Sequence, residues 1–170
     1  MADHQHVHPS CVDANQLLKD CKVVRTRGSG PGGQHRNKVE TAIVITHQPS
    51  GITGQASERR SQAENQKLAI LRLRINLAIG VRSATGPAPS SLWLSRLQTE
   101  KISVSENHED FPCLLAEALS HLFECEFDAA KTAEVLKCSS SQLIKFLKKA
   151  PEAFELLNRK RTEQGKFKYR

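Results

Sequence analysis

The stretch that most constrains this chain runs Arg25-Thr-Arg-Gly-Ser-Gly-Pro-Gly-Gly-Gln-His-Arg-Asn-Lys38, where four of the six residues from Gly28 to Gly33 are glycine. Without a Cβ, glycine lets the backbone come close to a ligand and adopt φ > 0. Pro31 fixes one dihedral and removes one donor. Taken alone, such a run reads as a flexible linker. Here Val23-Val24 leads in and Ala42-Ile-Val-Ile-Thr46 leads out, so the loop is mounted between two predicted strands. Loops held that way are a usual place for function. Arg25, Arg27, Arg36 and Lys38 add positive charge suited to phosphate.

Familiar phosphate loops do not account for it. The Gly-x4-Gly-Lys-Ser/Thr pattern is absent, and the formal G-x-G-x-x-G match from Gly28 to Gly33 contains Pro31 and leads into a strand rather than a long helix. The loop holds no Ser-His-Asp set, no paired carboxylates and no metal-ligand cluster. His35 sits next to Gln34, but neighbouring side chains diverge, which argues against it as a general base. Chemistry here has to come from positioning and electrostatics.

At 170 residues the chain can bury a core as one domain or two small ones. No apolar run is long enough to span a membrane, and the polar, His-rich N-terminus lacks a signal core, so a cytoplasmic protein is expected. The cysteines at 11, 21, 113, 125 and 138 are odd in number and form no C-x-x-C pair, so free thiols are expected rather than a disulfide framework. His4, His6 and His8 alternate as chelating residues can, but they read as a disordered N-terminus, and no metal or cofactor is predicted. The net charge is +7 and unevenly spread. Residues 20–80 carry ten Lys/Arg against four acids, residues 105–128 seven acids and no Lys or Arg, and residues 159–170 six Lys/Arg and one Glu. Two basic regions flanking an acidic one suit a polyanionic partner touched at two places.

Along the chain, Ser10 is positioned to cap a short helix from Cys11 to Lys19. Strands are expected over Cys21–Arg27, Glu40–His47 and Ile52–Ala56, with Pro49-Ser-Gly51 as a turn. Ser61-Gln-Ala-Glu64 is a capping box opening a helix to Ile79, with Leu68, Leu71, Ile75 and Ile79 as the stripe facing the sheet. Residues 83–91 have linker composition, Leu92–Leu97 is a short apolar patch, and residues 99–110 read as loop. Asp110 or Glu109 caps a helix over Phe111–Cys125 with Leu114, Leu115, Ala118, Leu119 and Leu122 buried. Asp128 caps the next, to Lys137, and Ser140 caps a third over Ser141–Lys149. This spacing is that of a helix-turn-helix without its usual turn glycine. Its second helix offers Ser141, Gln142, Lys145 and Lys148 to nucleic acid, or belongs to a plain helical bundle. Pro151 starts a last helix that runs into a basic tail interleaved with Phe167 and Tyr169.

Ser29-Gly-Pro-Gly-Gly-Gln34, Asn37-Lys38, Thr46-His47, Pro49-Ser-Gly51 and Arg60-Ser-Gln62 with Asn65 together resemble the catalytic domain of class I peptide chain release factors. The likeness covers about Ser10 to Ala78. It implies that Gly32, Gly33 and Gln34 enter the peptidyl transferase centre and hydrolyse the peptidyl-tRNA ester. The Gln34 backbone N–H would stabilise developing charge, and its side chain would admit water over larger nucleophiles. It also implies that Arg27, Arg36, Asn37 and Lys38 grip RNA, although Arg36 stands where the family often has an apolar residue. Gln34 would be the substrate of a glutamine methyltransferase.

The expected class is α+β: a small domain of three to four strands packed by a long helix (10–80), a linker and peripheral segment (81–110), a helical helix-turn-helix-like unit (111–158) and a basic tail (159–170). Only about twenty residues precede the first strand, and no stop-codon-reading domain is evident. The resemblance is therefore closest to codon-independent rescue factors that release peptides from stalled ribosomes or large subunits. Predicted RNA contacts are Arg25, Arg27, Arg36, Asn37, Lys38, Arg59, Arg60, Arg159, Lys160, Arg161, Lys166, Lys168 and Arg170. Expected partners are large-subunit rRNA, peptidyl-tRNA and the mRNA channel, and a monomer is expected. The competing reading is a non-catalytic adaptor that binds the ribosome or nucleic acid through the helical unit.

Overall fold

β-Branched residues and tight turns build a small antiparallel sheet. In the computed structural model, which describes residues 7–26 and 41–170, the strands are β1 (Cys21–Thr26), β2 (Ala42–His47) and β3 (Thr53–Ala56), in the order β1-β2-β3. Cys21 pairs with His47 and Thr26 with Ala42, while Ile43 pairs with Ala56 and Thr46 with Thr53. Gly51 makes the β2–β3 turn at φ +70°, a value open to glycine without strain. Ile43 and Ile45 are fully buried, whereas Val23 and Val24 stay about 40% exposed on the edge strand β1.

The first helix begins later than its sequence suggests. Helix α1 spans Ala14–Lys19 and is capped by Asp13, whose Oδ1 accepts the Asn15 N–H at 2.8 Å. Ser10 instead lies in a 3-10 turn, Pro9–Cys11, with its N–H donated to His8 Nδ1 at 3.1 Å. His8 is buried and ordered, against the expectation of a disordered stretch, and burial holds its pKa below the usual 6.5. Its Nε2–H is within reach of the Val81 carbonyl at 3.2 Å, matching the neutral ring.

Helix α2 (Gln62–Gly80) starts at Ser61, which accepts the Glu64 N–H. Its sheet-facing residues are Ala69, Leu73 and Leu77, with the predicted Leu68 partly buried beside them, whereas the predicted Leu71, Ile75 and Ile79 do not join this core. Ile75 and Ile79 turn toward a second core formed by the helical unit, and Leu71 lines an open groove. A helix buried on two sides has no single stripe for periodicity to find. The sheet side is close-packed because Gly54 on β3 has no side chain: a Cβ there would lie 2.4 Å from the Ala69 carbonyl oxygen and the Leu73 nitrogen.

The second core is helical. It comprises α3 (Ser91–Arg96), α4 (Phe111–Glu124), α5 (Ala129–Val135), α6 (Ser140–Leu147) and α7 (Pro151–Glu163), with a two-residue-strand hairpin, β4 (Leu97–Gln98) and β5 (Lys101–Ile102), before α4. The predicted α4 stripe is buried throughout. Asp110 precedes α4 but makes no capping bond, because its carboxylate pairs with Arg96. Asp128 caps α5 as read, whereas α6 is capped by Ser139 rather than Ser140. Trp93 is fully buried, donates to the Leu136 carbonyl at 2.8 Å and meets the Phe146 ring edge-on at 5.7 Å. Residues 81–110, read as linker and periphery, contribute Trp93, Ile102 and Val104 to this core, and Ser90 and Thr85 donate to Glu117 and Glu124 of α4.

Cysteine spacing misled in one respect. Cys11 and Cys113 form a disulfide 102 residues apart in sequence, tying the 3-10 turn to α4, while Cys21, Cys125 and Cys138 are free. Nothing local in the sequence marks the pair. A loop of that length lies near the upper end of disulfide stabilisation, about 4.7 kcal/mol in the chain-entropy account. Reduction, or Cys11→Ser, is expected to lower the urea midpoint measurably, and reductant is expected to have no further effect on the Cys11→Ser protein.

Candidate functional site

The glycine loop runs from the end of β1 to the start of β2, and Gly32, Gly33, Gln34, Arg27, Arg36, Asn37 and Lys38 lie outside the described residues. Its two stems are described. Thr26 and Ala42 are antiparallel partners, so the chain leaves and re-enters the sheet on adjacent strands. Arg25, one residue before the loop, is exposed opposite Ile43.

One buried amide holds the re-entry point. Asn65, fully buried in the first turn of α2, donates through Nδ2 to the Thr41 carbonyl at 2.7 Å and to the Arg59 carbonyl at 2.9 Å. Its Oδ1 accepts the Arg59 N–H at 2.9 Å. The side chain thereby spends both amide hydrogens and its oxygen on backbone. It pins the Arg59-Arg60 corner beside the loop's return strand, with both arginines exposed. Asn65 belonged to the sequence resemblance, but its structural task was not legible. An asparagine four residues beyond a helix-capping serine, in line with Ala69 and Leu73, was the available signal.

A second brace lies further along the same face. Arg72 donates to the Gln55 carbonyl at 2.8 Å and pairs with Glu58. The Arg72 hydrogen bond holds the Glu58 carboxyl down at about 2, against a usual 4.5, with burial opposing. Among the described residues there is no group of His, Cys, Asp and Glu able to hold a metal ion. The groove lined by Gln55, Leu71, Arg72, Asn76, Lys149 and Glu152 is open and offers no nucleophile beside a base.

The C-terminal cations divide into engaged and free groups. Helix α7 carries Arg159, Lys160 and Arg161, so half of the expected tail is helical. Gly165 ends it at φ +70°, and the chain folds back, with Asn158 bonded to both the N–H and the carbonyl of Tyr169. Arg161 stacks on Tyr169 at 4.0 Å and donates to the carbonyls of Phe127 and Phe167. Lys166 donates to the Glu126 carbonyl at 3.0 Å, and Lys160 pairs with Glu163 at 2.8 Å. Glu126 and Phe127 both have positive φ, so Arg161 and Lys166 brace the α4–α5 turn. Arg159, Lys168 and Arg170 are exposed, as is Phe167 at 92%.

The RF-1 domain family matches residues 13–111, more than half of the chain. Over 61 residues the chain is 44% identical to Peptide chain release factor PrfB1, chloroplastic, of Arabidopsis thaliana, covering 36% of this chain and 13% of that protein. Over 59 residues it is 48% identical to Peptide chain release factor 2 of Sulfurovum sp. (strain NBC37-1), covering 35% of this chain and 16% of that protein. The chain thus spans less than a fifth of the length of these relatives. Among the described residues no helix is long and apolar enough to cross a membrane.

Two outcomes follow from this geometry. Asn65→Ala removes three part-buried hydrogen bonds to backbone and is expected to cost about 2–3 kcal/mol in urea unfolding. The Arg72–Glu58 pair is exposed and contributes no more than about 1 kcal/mol. Because the folded Glu58 pKa is depressed, that contribution is present above the usual 4.5 and lost as pH falls toward about 2. Glu58→Gln is therefore expected to be slightly less stable than the parent at neutral pH and equal to it at about pH 2.

Proposed function

Because the chain belongs to the RF-1 domain family of class I peptide chain release factors, we propose that it hydrolyses the ester of peptidyl-tRNA on stalled ribosomes or isolated large subunits. The observation that carries this reading is the base of the glycine loop. Strand pairing at Thr26 and Ala42, with Asn65 bonded to the Thr41 carbonyl, gives Gly32-Gly33-Gln34 a fixed point of departure. Such a base suits a loop that acts by presenting a backbone donor in one position.

In this mechanism the Gln34 N–H donates to negative charge developing at the scissile ester. Gly32 and Gly33 let the backbone approach closely, and the Gln34 side chain limits the nucleophile to water. The surrounding RNA supplies the rest of the catalytic surface, since the loop holds no Ser-His-Asp set, no paired carboxylates and no metal-ligand cluster. Arg25, Arg27, Arg36, Asn37, Lys38, Arg59 and Arg60 contact phosphate around it. Gln34 is in this reading the site of modification by a glutamine methyltransferase.

Codon independence rests on the chemistry of the C-terminal end. Its free groups are Arg159, Lys168, Arg170 and the aromatic face of Phe167, which bind phosphates and stack bases without sequence readout. Lys160, Arg161 and Lys166 would act mainly by holding that surface in place.

The test is release of labelled peptide from ribosomes stalled on mRNA lacking a stop codon. Gln34→Pro removes the N–H and is expected to slow release by about 10²–10³-fold, while the parent protein releases peptide regardless of the codon in place. No release by the parent protein, even from isolated large subunits, would contradict the proposal.

A further inference from the structure

We propose that the outward face of α6 and the turn before it form a docking surface for double-helical RNA, read through its phosphates alone. The inference rests on the ribosomal reading above and extends it to the helical unit, most of which lies beyond the residues matched by the family. Inwardly, α6 is fixed by Leu143, Phe146 and Leu147, all buried, with Phe146 packed on the rings of Trp93 and Phe111. Outwardly it shows Ser141, Lys145 and Lys148, all exposed. Their i, i+4, i+7 spacing puts them in one row about 10 Å long. Lys137, exposed in the α5–α6 turn just before the helix begins, adds a cation beyond its N-terminal end.

The lysines are spare. Among the described residues Lys137 and Lys145 make no side-chain hydrogen bond or ion pair, and Lys148 lies over the Phe154 ring at 5.3 Å. Lys149, by contrast, is half-buried and donates to the Val104 carbonyl. Glu134 and Glu152 bound the row in sequence, and Glu100 stands beside the turn, its carbonyl accepting the Ser139 N–H at 3.3 Å.

The turn carries the sharper signal. Lys137 has φ +55°, a conformation glycine adopts freely and a side chain resists. A lysine there costs stability that glycine would restore, and it places a cation in the turn that leads into α6. The row offers ammonium groups and one hydroxyl, with no Arg, Asn or Gln fully exposed along it. Gln142 beside the row is only partly exposed, so bidentate base recognition is poorly served, while phosphate contact is well served. A sequence-blind backbone contact suits the duplex RNA that a ribosome-directed protein meets.

The experiment measures binding of the full-length protein to an RNA duplex of about twenty base pairs across a salt series. No ester is present, so failure here leaves the hydrolase proposal standing, and failure of peptide release leaves this surface standing. Lys145→Gln/Lys148→Gln is expected to lower the slope of log K against log salt by about two, and Lys137→Gly by about one, for any duplex sequence. Lys137→Gly is also expected to melt about 2–4 °C higher than the parent, so weaker binding by that variant cannot come from unfolding. Gln34→Pro should bind like the parent. Unchanged slopes in the lysine variants, dependence on duplex sequence, or tighter binding to a DNA duplex of the same sequence would overturn the proposal.

Discussion

The fold depends on α2 serving two cores at once. One side packs Ala69, Leu73 and Leu77 on the sheet at a distance only Gly54 allows, and the other gives Ile75, Ala78 and Ile79 to the helical unit. Its ends are also occupied. Asn65 at the first turn holds the loop stem, and at the last turn Arg82 donates to the carbonyls of Ala78, Ile79 and Val81. Arg74, between them, donates to the Ser10 carbonyl at 2.8 Å and so holds the 3-10 turn that the disulfide fastens to α4. Each of these contacts restrains the same rod.

That arrangement joins the catalytic proposal to the surface proposal. A loop that works by placing one N–H, rather than by supplying a nucleophile, is only as useful as its anchorage is stiff. The same rod sets the orientation of α6 and the C-terminal fold-back, since both stand on the core that receives Ile75 and Ile79. Contacts made far from the loop then bear on how firmly its stems are held.

Local signals in the sequence were legible in part, since Ser10, Asp110 and Ser140 do not cap the helices that follow them, and distant signals were not legible. The Ser61 cap, the Asp128 cap and the α4 stripe each depend on residues within one or two turns of one another. The α2 face was misassigned because apolar residues surround the helix, and only the presence of two cores says which belongs to which. The disulfide, the burial of His8 and the stacking of Arg161 on Tyr169 depend on which segments meet after folding. Cys11 and Cys113 illustrate the limit, since a separation of 102 residues carries no period or motif. At the site, Gly32, Gly33 and Gln34 are legible as a motif alone and lie outside the described residues. Asn65 shows the reverse case, a residue seen in the motif whose three backbone bonds appear only in the fold.

The shared helix is tested most directly by unfolding Gly54→Ala in urea while following the fluorescence of Trp93, the chain's one tryptophan. Gly54 lies in the sheet core and Trp93 in the helical core, so the probe and the substitution report on opposite sides of α2. If α2 makes the two cores one body, the midpoint read at Trp93 falls by the same amount as that read from amide exchange in β2. A Trp93 midpoint that stays at its parent value while β2 loosens would contradict the account.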